Sequence, residues 1–172
     1  MLMAARTLEA GNRMNADNVS AEKRIVELGI DMPPAPQPLG AYTETVQSGR
    51  LVYVTGTLPV VAGKLQYVGT LGKEIDLIDG QKAARLAALN SLAAVREHLG
   101  SLDRIVRVLK TEVYLVTTDE FAAMQPKIAD GASQLLLDVF GDKGLSVRKI
   151  MGVSSMPLHA PVMVELLFEV DG

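Results

Sequence analysis

An arginine and a glutamate within one apolar stretch are the residues of this chain whose chemistry most needs an explanation. The stretch from 147 to 170 reads VRKIMGVSSMPLHAPVMVELLFEV, with Arg148 near its start and Glu165 in its second half. An arginine offers a planar fork that can hold a carboxylate through two hydrogen bonds. The commonplace interpretation of Arg148 is a solvated charge or a surface ion pair. The residue types alone leave both interpretations open.

Other polar groups could complete a pocket around such an arginine. Gly56 interrupts a strand-like stretch, and a glycine in that position marks a β-bulge or the close approach of another group. An exposed N–H at Gly56 and a hydroxyl from Thr55 or Tyr42 would suit a small anion. These residues, with Arg148 and Glu165, are the candidate site.

Standard nucleophile and metal schemes lack their parts in this sequence. There is no cysteine, and the two histidines, His98 and His159, are far apart and follow no HxH or HExxH spacing. His98 is expected near a helix C-terminus and His159 in a turn. The sequence has no phosphate-binding glycine signature and no GxSxG elbow. We therefore predict neither a metal nor a cofactor.

Composition bounds the partners and the number of domains. A length of 172 residues with 48% hydrophobic content predicts one domain with one core. The net charge of −3 and the scarcity of aromatic residues argue against a nucleic-acid partner. No apolar run reaches the ~20 residues that cross a bilayer, so no membrane partner is expected. We predict a soluble, cytoplasmic protein, which the absence of cysteine suits.

The chain divides into three segments. Residues 1–19 are expected to form a flexible N-terminal extension. Residues 20–35 are expected to hold a short helix, whose candidate N-cap is Ser20, and a proline-rich lead-in. Residues 36–172 are predicted to form the single domain.

Hydrophobic periodicity predicts an α+β fold. Thr117 and Glu120 fit a capping box at the start of the second long helix, and the closing stretch is read as a strand pair. A single mixed sheet with two long helices on one face fits this order. The predicted elements are a hairpin from 42 to 60, a short strand near 65–68, a helix over 79–99, a strand over 105–116, a helix over 117–140 and the closing strand pair.

The last strand has two apolar faces. Val162 and its alternate neighbours point one way, whereas Met163 and Leu167 lie on the other face beside Glu165 and Glu169. Helices on one side can cover only one of these faces. The sequence therefore predicts that other subunits cover the second face.

These residues resemble the RidA/YjgF family, also known as endoribonuclease L-PSP or liver perchloric-acid-soluble protein. The motifs are PLGAYTETVQSGRLVYVTGTLPV, TEVYLVTTDEF and VRKIMGVSSMP, in the family's order, and the resemblance covers about residues 36–170. It is greatest to a longer subgroup with an N-terminal extension. The resemblance implies a chorismate-mutase-like fold (bacillus type) and a homotrimer.

The resemblance also implies a function and roles for the candidate residues. Family deaminases hydrolyse 2-imino and enamine acids to 2-keto acids and ammonia at a trimer-interface pocket. By this resemblance Arg148 grips the substrate carboxylate, while Tyr42, Thr55 and Gly56 line the pocket from a neighbouring subunit. Ile150 stands at a lining position often held by cysteine.

Met163 is the departure that puts catalysis in question. Counting without gaps from Arg148, Met163 falls where the deaminases have the glutamate that positions the water. Glu165 lies two residues on, on the same strand face but ~6 to 7 Å away. The expectations are therefore a deaminase that uses Arg148 and Glu165, or a non-catalytic binder of small 2-keto or amino carboxylates. An endoribonuclease or translation inhibitor is the third alternative.

Overall fold

A five-stranded sheet organises the molecule in the computed structural model, which describes residues 20–172. The order across this sheet is β1-β2-β7-β5-β6, with β6 parallel to β5 and the other neighbours antiparallel. β3 and β4 form a separate two-stranded sheet. The strands are, in chain order, β1 (Thr45–Ser48), β2 (Leu51–Val54), β3 (Val60–Val61), β4 (Lys64–Leu65), β5 (Ile105–Leu115), β6 (Val147–Gly152) and β7 (Val162–Val170).

Within residues 20–172, three α-helices accompany the sheet, and the first two of these begin at side-chain caps. The hydroxyl of Ser20 accepts a hydrogen bond from the Lys23 N–H, and the carboxylate of Asp76 accepts one from the Asp79 N–H. None of the helices within residues 20–172 has the length and apolar character needed to cross a membrane. The helices are α1 (Ala21–Glu27), α2 (Leu77–Leu99) and α3 (Gln125–Phe140).

Both long helices pack on one face of the sheet, which confirms the predicted mixed α+β architecture. α2 contacts β2 and β7, and α3 contacts α2, β5 and β6. Between helices and sheet lies a continuous core, to which α1 adds Ala21 and Ile25. The β7 side chains that face the core are all buried: Val162, Val164, Leu166, Phe168 and Val170.

The closing strands do not pair with each other, so their interpretation as a hairpin was wrong. β6 pairs with β5 in parallel, and β7 lies between β2 and β5. The reason is the crossover through α3, because a strand–helix–strand unit returns the chain parallel to its first strand. The chain then passes back across β5 to place β7 in the centre of the sheet.

Two local predictions were also wrong. The stretch near 65–68 is a strand only at its first residue, where Lys64–Leu65 pairs with Val60–Val61. The capping box at Thr117 and Glu120 does not start a helix, since a 3₁₀ segment over Asp119–Met124 precedes α3. The hydroxyl of Thr117 instead accepts a hydrogen bond from Gln125 Nε2 at 3.0 Å.

The second face of the sheet carries no helix of residues 20–172, and we call it the open face. It holds Met163, Glu165, Leu167 and Glu169 of β7, all partly exposed, as the alternation of that strand predicted. Neighbouring strands extend its apolar area. The large apolar side chains that share this face by strand register are Val46, Leu51, Tyr53, Tyr114, Val147 and Met151.

Candidate functional site

Gly56 lies at a one-residue bulge next to the central strand. Tyr53 pairs with Leu167 of β7, and Thr57 pairs with Val164 of β7. Thr57 is four residues after Tyr53, but Val164 is only three residues before Leu167, so the segment that follows β2 contains one extra residue. The extra residue falls at Thr55–Gly56, as the glycine in the strand-like stretch indicated. Within residues 20–172 no group accepts a hydrogen bond from the Gly56 N–H. Gly56 is partly exposed, so among the described residues its N–H is left as a candidate donor for a ligand.

The bulge brings the Gly56 backbone against Met163. A Cβ atom built on Gly56 would lie 2.5 Å from Met163 Sδ. The thioether thus occupies the space beside the Gly56 backbone. Methionine sulfur is only a weak acceptor, so it cannot serve as a base there.

Thr57 anchors the bulge to the helix layer, a role that the sequence did not reveal. Its buried hydroxyl donates to the Ala87 carbonyl oxygen of α2 at 2.8 Å and lies 2.6 Å from Ser91 Oγ. The Thr57 N–H also donates to the Val164 carbonyl oxygen at 2.8 Å. These contacts fix the chain next to Gly56 on the helix side of the sheet. On the other side of Gly56 in the sequence, the N–H of Thr55 donates to the Glu44 carbonyl oxygen.

Arg148 lies on edge strand β6 and is held by α3. Its Nη1 donates to Asp130 Oδ1 at 2.7 Å and to Ser133 Oγ at 3.1 Å. The Arg148 side chain is 27% exposed. Nothing in residues 20–172 accepts from its Nε or Nη2, which leaves one edge of the fork open. Asp130 and Ser133 were missed because partners from a distant helix give no local sequence signal.

Arg148 and Glu165 do not share a face of the sheet. Arg148 pairs with Thr111 and Glu165 pairs with Glu112, which are consecutive residues of β5. Side chains of consecutive strand residues point to opposite faces. Arg148 therefore projects on the helix side and Glu165 on the open face. One chain alone does not bring the two predicted catalytic residues together.

Glu165 lies in a polar group that the sequence analysis did not single out. The Tyr114 hydroxyl is 3.4 Å from Glu165 Oε2, and Glu112 lies opposite Glu165 in the register. Glu112 is buried, and its Oε1 accepts from Lys110 Nζ at 2.8 Å and lies 3.8 Å from Lys149 Nζ. Burial, followed by the charges of Glu165 and Glu112, raises the pKa of Tyr114. The phenol thus stays protonated near neutral pH.

The remaining predicted residues lie away from this group. The Tyr42 hydroxyl accepts a hydrogen bond from the Leu39 N–H at 3.0 Å, and Tyr42 is about half exposed. Ile150 packs partly against the core on the helix side. His98 Nε2 lies 3.2 Å from Gln47 Oε1 in the last turn of α2, and His159 lies in a turn with positive φ. Neither histidine belongs to the candidate site.

The chain matches one family model over most of its length. The model is described as "YjgF/chorismate mutase-like, putative endoribonuclease" and covers residues 22–170. Protein TCP17 of Trypanosoma cruzi is similar, with 38% identity over 84% of this chain and 90% of the relative. A "2-iminobutanoate/2-iminopropanoate deaminase" of Dermatophagoides farinae is 23% identical over 83% of this chain and 95% of the relative.

One solved crystal structure has a backbone similar to that of this chain. The crystal structure of a "putative endoribonuclease" from Shewanella oneidensis superposes with a TM-score of 0.85 and 34% identity. The match covers 88% of this chain and 100% of that one. The fold, the ordered motifs and the family model agree. This chain therefore belongs to the YjgF/RidA family of chorismate mutase-like proteins.

Proposed function

We propose that this protein binds small 2-imino, enamine and 2-keto carboxylates and hydrolyses the imines to 2-keto acids and ammonia. The observation that carries the proposal is the half-open fork of Arg148. Asp130 and Ser133 engage Nη1 only, so they orient the guanidinium without occupying its other edge. A fork fixed in this way is prepared for a ligand carboxylate, because less side-chain freedom is lost on binding.

The proposed site lies between copies of the chain in a homotrimer. Arg148 points to the helix side of one copy, so the free Gly56 N–H and the open face must come from another. The apolar side chains of the open face support association, since a large exposed apolar patch marks an interaction surface. Tyr53 and Val46 are about half exposed there, at 49% and 53%.

The proposed reaction needs orientation, proton transfer and charge stabilisation but no cofactor. The Arg148 fork holds the carboxylate, and the Gly56 N–H stabilises negative charge near the reacting carbon. Water adds to the imine carbon, the carbon–nitrogen bond breaks, and ammonia leaves with protons supplied by the water. A 2-keto acid remains. Glu165 is the open-face carboxylate of residues 20–172 without an ion pair, since Glu112 pairs with Lys110 and Glu169 with Arg50. The similar deaminase of Dermatophagoides farinae supports the substrate class.

Met163 favours a second candidate, a binder without turnover. Its thioether lies against Gly56, where the deaminases have a carboxylate by resemblance, and it cannot accept a proton at neutral pH. In this alternative Arg148 and Gly56 retain the keto acid, and no imine is hydrolysed. Retention of binding without catalysis distinguishes it from the first candidate.

An endoribonuclease activity is the alternative that the family's description contains. The acidic balance of the chain opposes binding of a polyanion, because phosphate recognition relies on clustered Lys and Arg. RNA cleavage that survives stringent repurification and disappears in Arg148→Ala would reverse this ranking.

A coupled assay tests the proposed function. A pyridoxal-phosphate lyase generates 2-aminoacrylate, and ammonia release is followed with and without this protein. We expect faster release with the protein and loss of the acceleration in Arg148→Ala. If ammonia is released no faster than in buffer even at high protein concentration, and calorimetry still detects keto-acid binding, the protein is a binder without turnover. An Arg148→Ala variant that keeps both activity and keto-acid binding would refute both candidates.

A further inference from the structure

Tyr114 lies directly opposite Met163 on the open face. The two residues are cross-strand partners between β5 and β7. Directly opposed residues of antiparallel strands have Cβ atoms ~4.5 to 5.5 Å apart. On its other side, Met163 touches Gly56. The phenol and the free Gly56 N–H therefore flank the same thioether.

The Tyr114 hydroxyl also reaches the carboxylate of Glu165, which lies two residues after Met163 on β7. It lies 3.4 Å from Glu165 Oε2, and Glu165 is a diagonal neighbour of Tyr114 across the strands. Diagonal neighbours are within reach of aromatic side chains. The contact is long for an O–H···O hydrogen bond, and catalytic hydrogen bonds commonly tighten only when substrate binds.

Charged side chains of β5 and β6 lie beside Glu165 on the open face. Glu112 faces Glu165, and its carboxylate is engaged by Lys110 and lies near Lys149. The lysines neutralise much of the charge of Glu112, whereas no ion pair of residues 20–172 engages Glu165, so Glu165 acts more strongly on the phenol than Glu112 does. The high pKa of Tyr114 keeps its proton in place as a donor to that carboxylate.

We propose that the Tyr114 hydroxyl, held by Glu165, replaces the carboxylate missing at Met163 and relays protons to and from the substrate. The inference rests on the proposed hydrolysis of imines. As the water oxygen bonds to the imine carbon, a water proton passes to Tyr114 while the phenol proton passes to Glu165. The same route returns that proton to the imine nitrogen, and the phenol and Glu165 then carry the proton of the new hydroxyl to the nitrogen of the resulting carbinolamine. The carbon–nitrogen bond breaks, ammonia leaves, and both side chains recover their starting state.

The phenol-to-phenyl change tests the relay, because Tyr114→Phe removes the hydroxyl and keeps the ring. Since proton transfer by a positioned group contributes at least about 100-fold, we expect kcat for 2-iminopropanoate to fall by about that factor. The Kd for 2-ketobutyrate should stay unchanged. Adding Met163→Glu to Tyr114→Phe should restore activity. The matched control is Tyr67→Phe, a tyrosine that packs partly against the core and lies outside the five-stranded sheet.

The outcomes separate the relay from the proposed function. An active wild type with an equally active Tyr114→Phe variant overturns the relay and leaves the hydrolysis standing. Equal losses of kcat and of 2-ketobutyrate affinity also overturn it, because they indicate a structural role. A wild type that releases no ammonia overturns the hydrolysis and the relay together.

A spectroscopic titration tests the contact without activity. The wild-type minus Tyr114→Phe difference in phenolate absorbance isolates Tyr114 from the other tyrosines. Because the Glu165 charge raises the pKa of Tyr114, Glu165→Gln should move this titration to lower pH. An unmoved titration means that Glu165 does not hold the phenol, and the relay is then refuted.

Discussion

Arg148 and Glu165 project from opposite faces of one sheet, although a single strand separates the strands that carry them. Their partners on β5, Thr111 and Glu112, are consecutive residues. No rotamer change carries either side chain through the sheet. A site that uses both residues must combine two copies of the chain, so assembly and ligand binding are expected to be linked.

The first prediction concerns the anchor. Arg148→Ala should weaken 2-ketobutyrate binding by a factor of about 10 to 100, the worth of a charged hydrogen-bonded pair. Asp130→Asn should cost less, because it loosens the fork without removing it. Calorimetry measures both. Arg104→Ala, which breaks a surface pair with Asp171, is the control. The anchor role would be contradicted if the Asp130→Asn variant bound 2-ketobutyrate more weakly than the Arg148→Ala variant does.

The second prediction concerns the open face. Leu167→Lys places a charge opposite Lys110 in the middle of the apolar area. A charge taken out of water at a subunit contact without a partner is costly, so we expect the proposed trimer to dissociate and keto-acid binding to disappear with it. Light scattering gives the mass. Val26→Lys, at an exposed position of α1, should change neither property. A monomeric Leu167→Lys variant with intact binding would place the whole site in one chain.

The third prediction compares two glycines. A Cβ on Gly131 would lie 2.1 Å from the backbone oxygen of Gln81, where α3 crosses α2. Because backbone cannot yield as a side chain does, Gly131→Ala should lower the free energy of unfolding by about 1 to 3 kcal/mol or more. The atoms nearest to a Cβ on Gly56 belong to the flexible side chain of Met163, so Gly56→Ala should cost less. Urea unfolding ranks them, and the reverse order would contradict the packing argument.

The fourth prediction concerns pH and Glu44. Burial raises the pKa of the Glu44 carboxyl above that of an ordinary glutamate. The folded state then binds the proton more tightly than the unfolded state, so stability falls as pH rises through the folded pKa. Glu44→Gln should therefore be more stable than wild type at about pH 7 and lose that advantage below about pH 4. Urea unfolding at both pH values checks this, and equal stability at the higher pH would contradict it.

Short-range periodicity predicted the main elements because their patterns are local. The alternation of β7 gave its buried and open faces correctly, and Gly56 marked the bulge. The start of α3 was missed although Pro126, its second residue, signals a first helical turn. The capping pattern at Thr117 and Glu120 was followed instead, and its residues form the 3₁₀ segment.

Strand pairing and side-chain partners depend on distant residues, so local patterns could not give them. The short connection between β6 and β7 favoured a hairpin, whereas α3 packing placed β5 between them. The same crossover brought Asp130 and Ser133 to Arg148. The contact between Tyr114 and Glu165 likewise depends on the β5–β7 register. The predicted extension over 1–19 lies outside the described residues.

The central place of β7 also determines when the fold can form. Until β7 is made, β1–β2 and β5–β6 are two separate ribbons, each with an unpaired inner edge. Joining them requires contacts between residues more than 100 positions apart, as between Leu51 and Glu169, and such long-range pairing slows folding. A chain interrupted before Val162 would expose two aggregation-prone edges. Nascent chains at that stage are the ones that would need a chaperone.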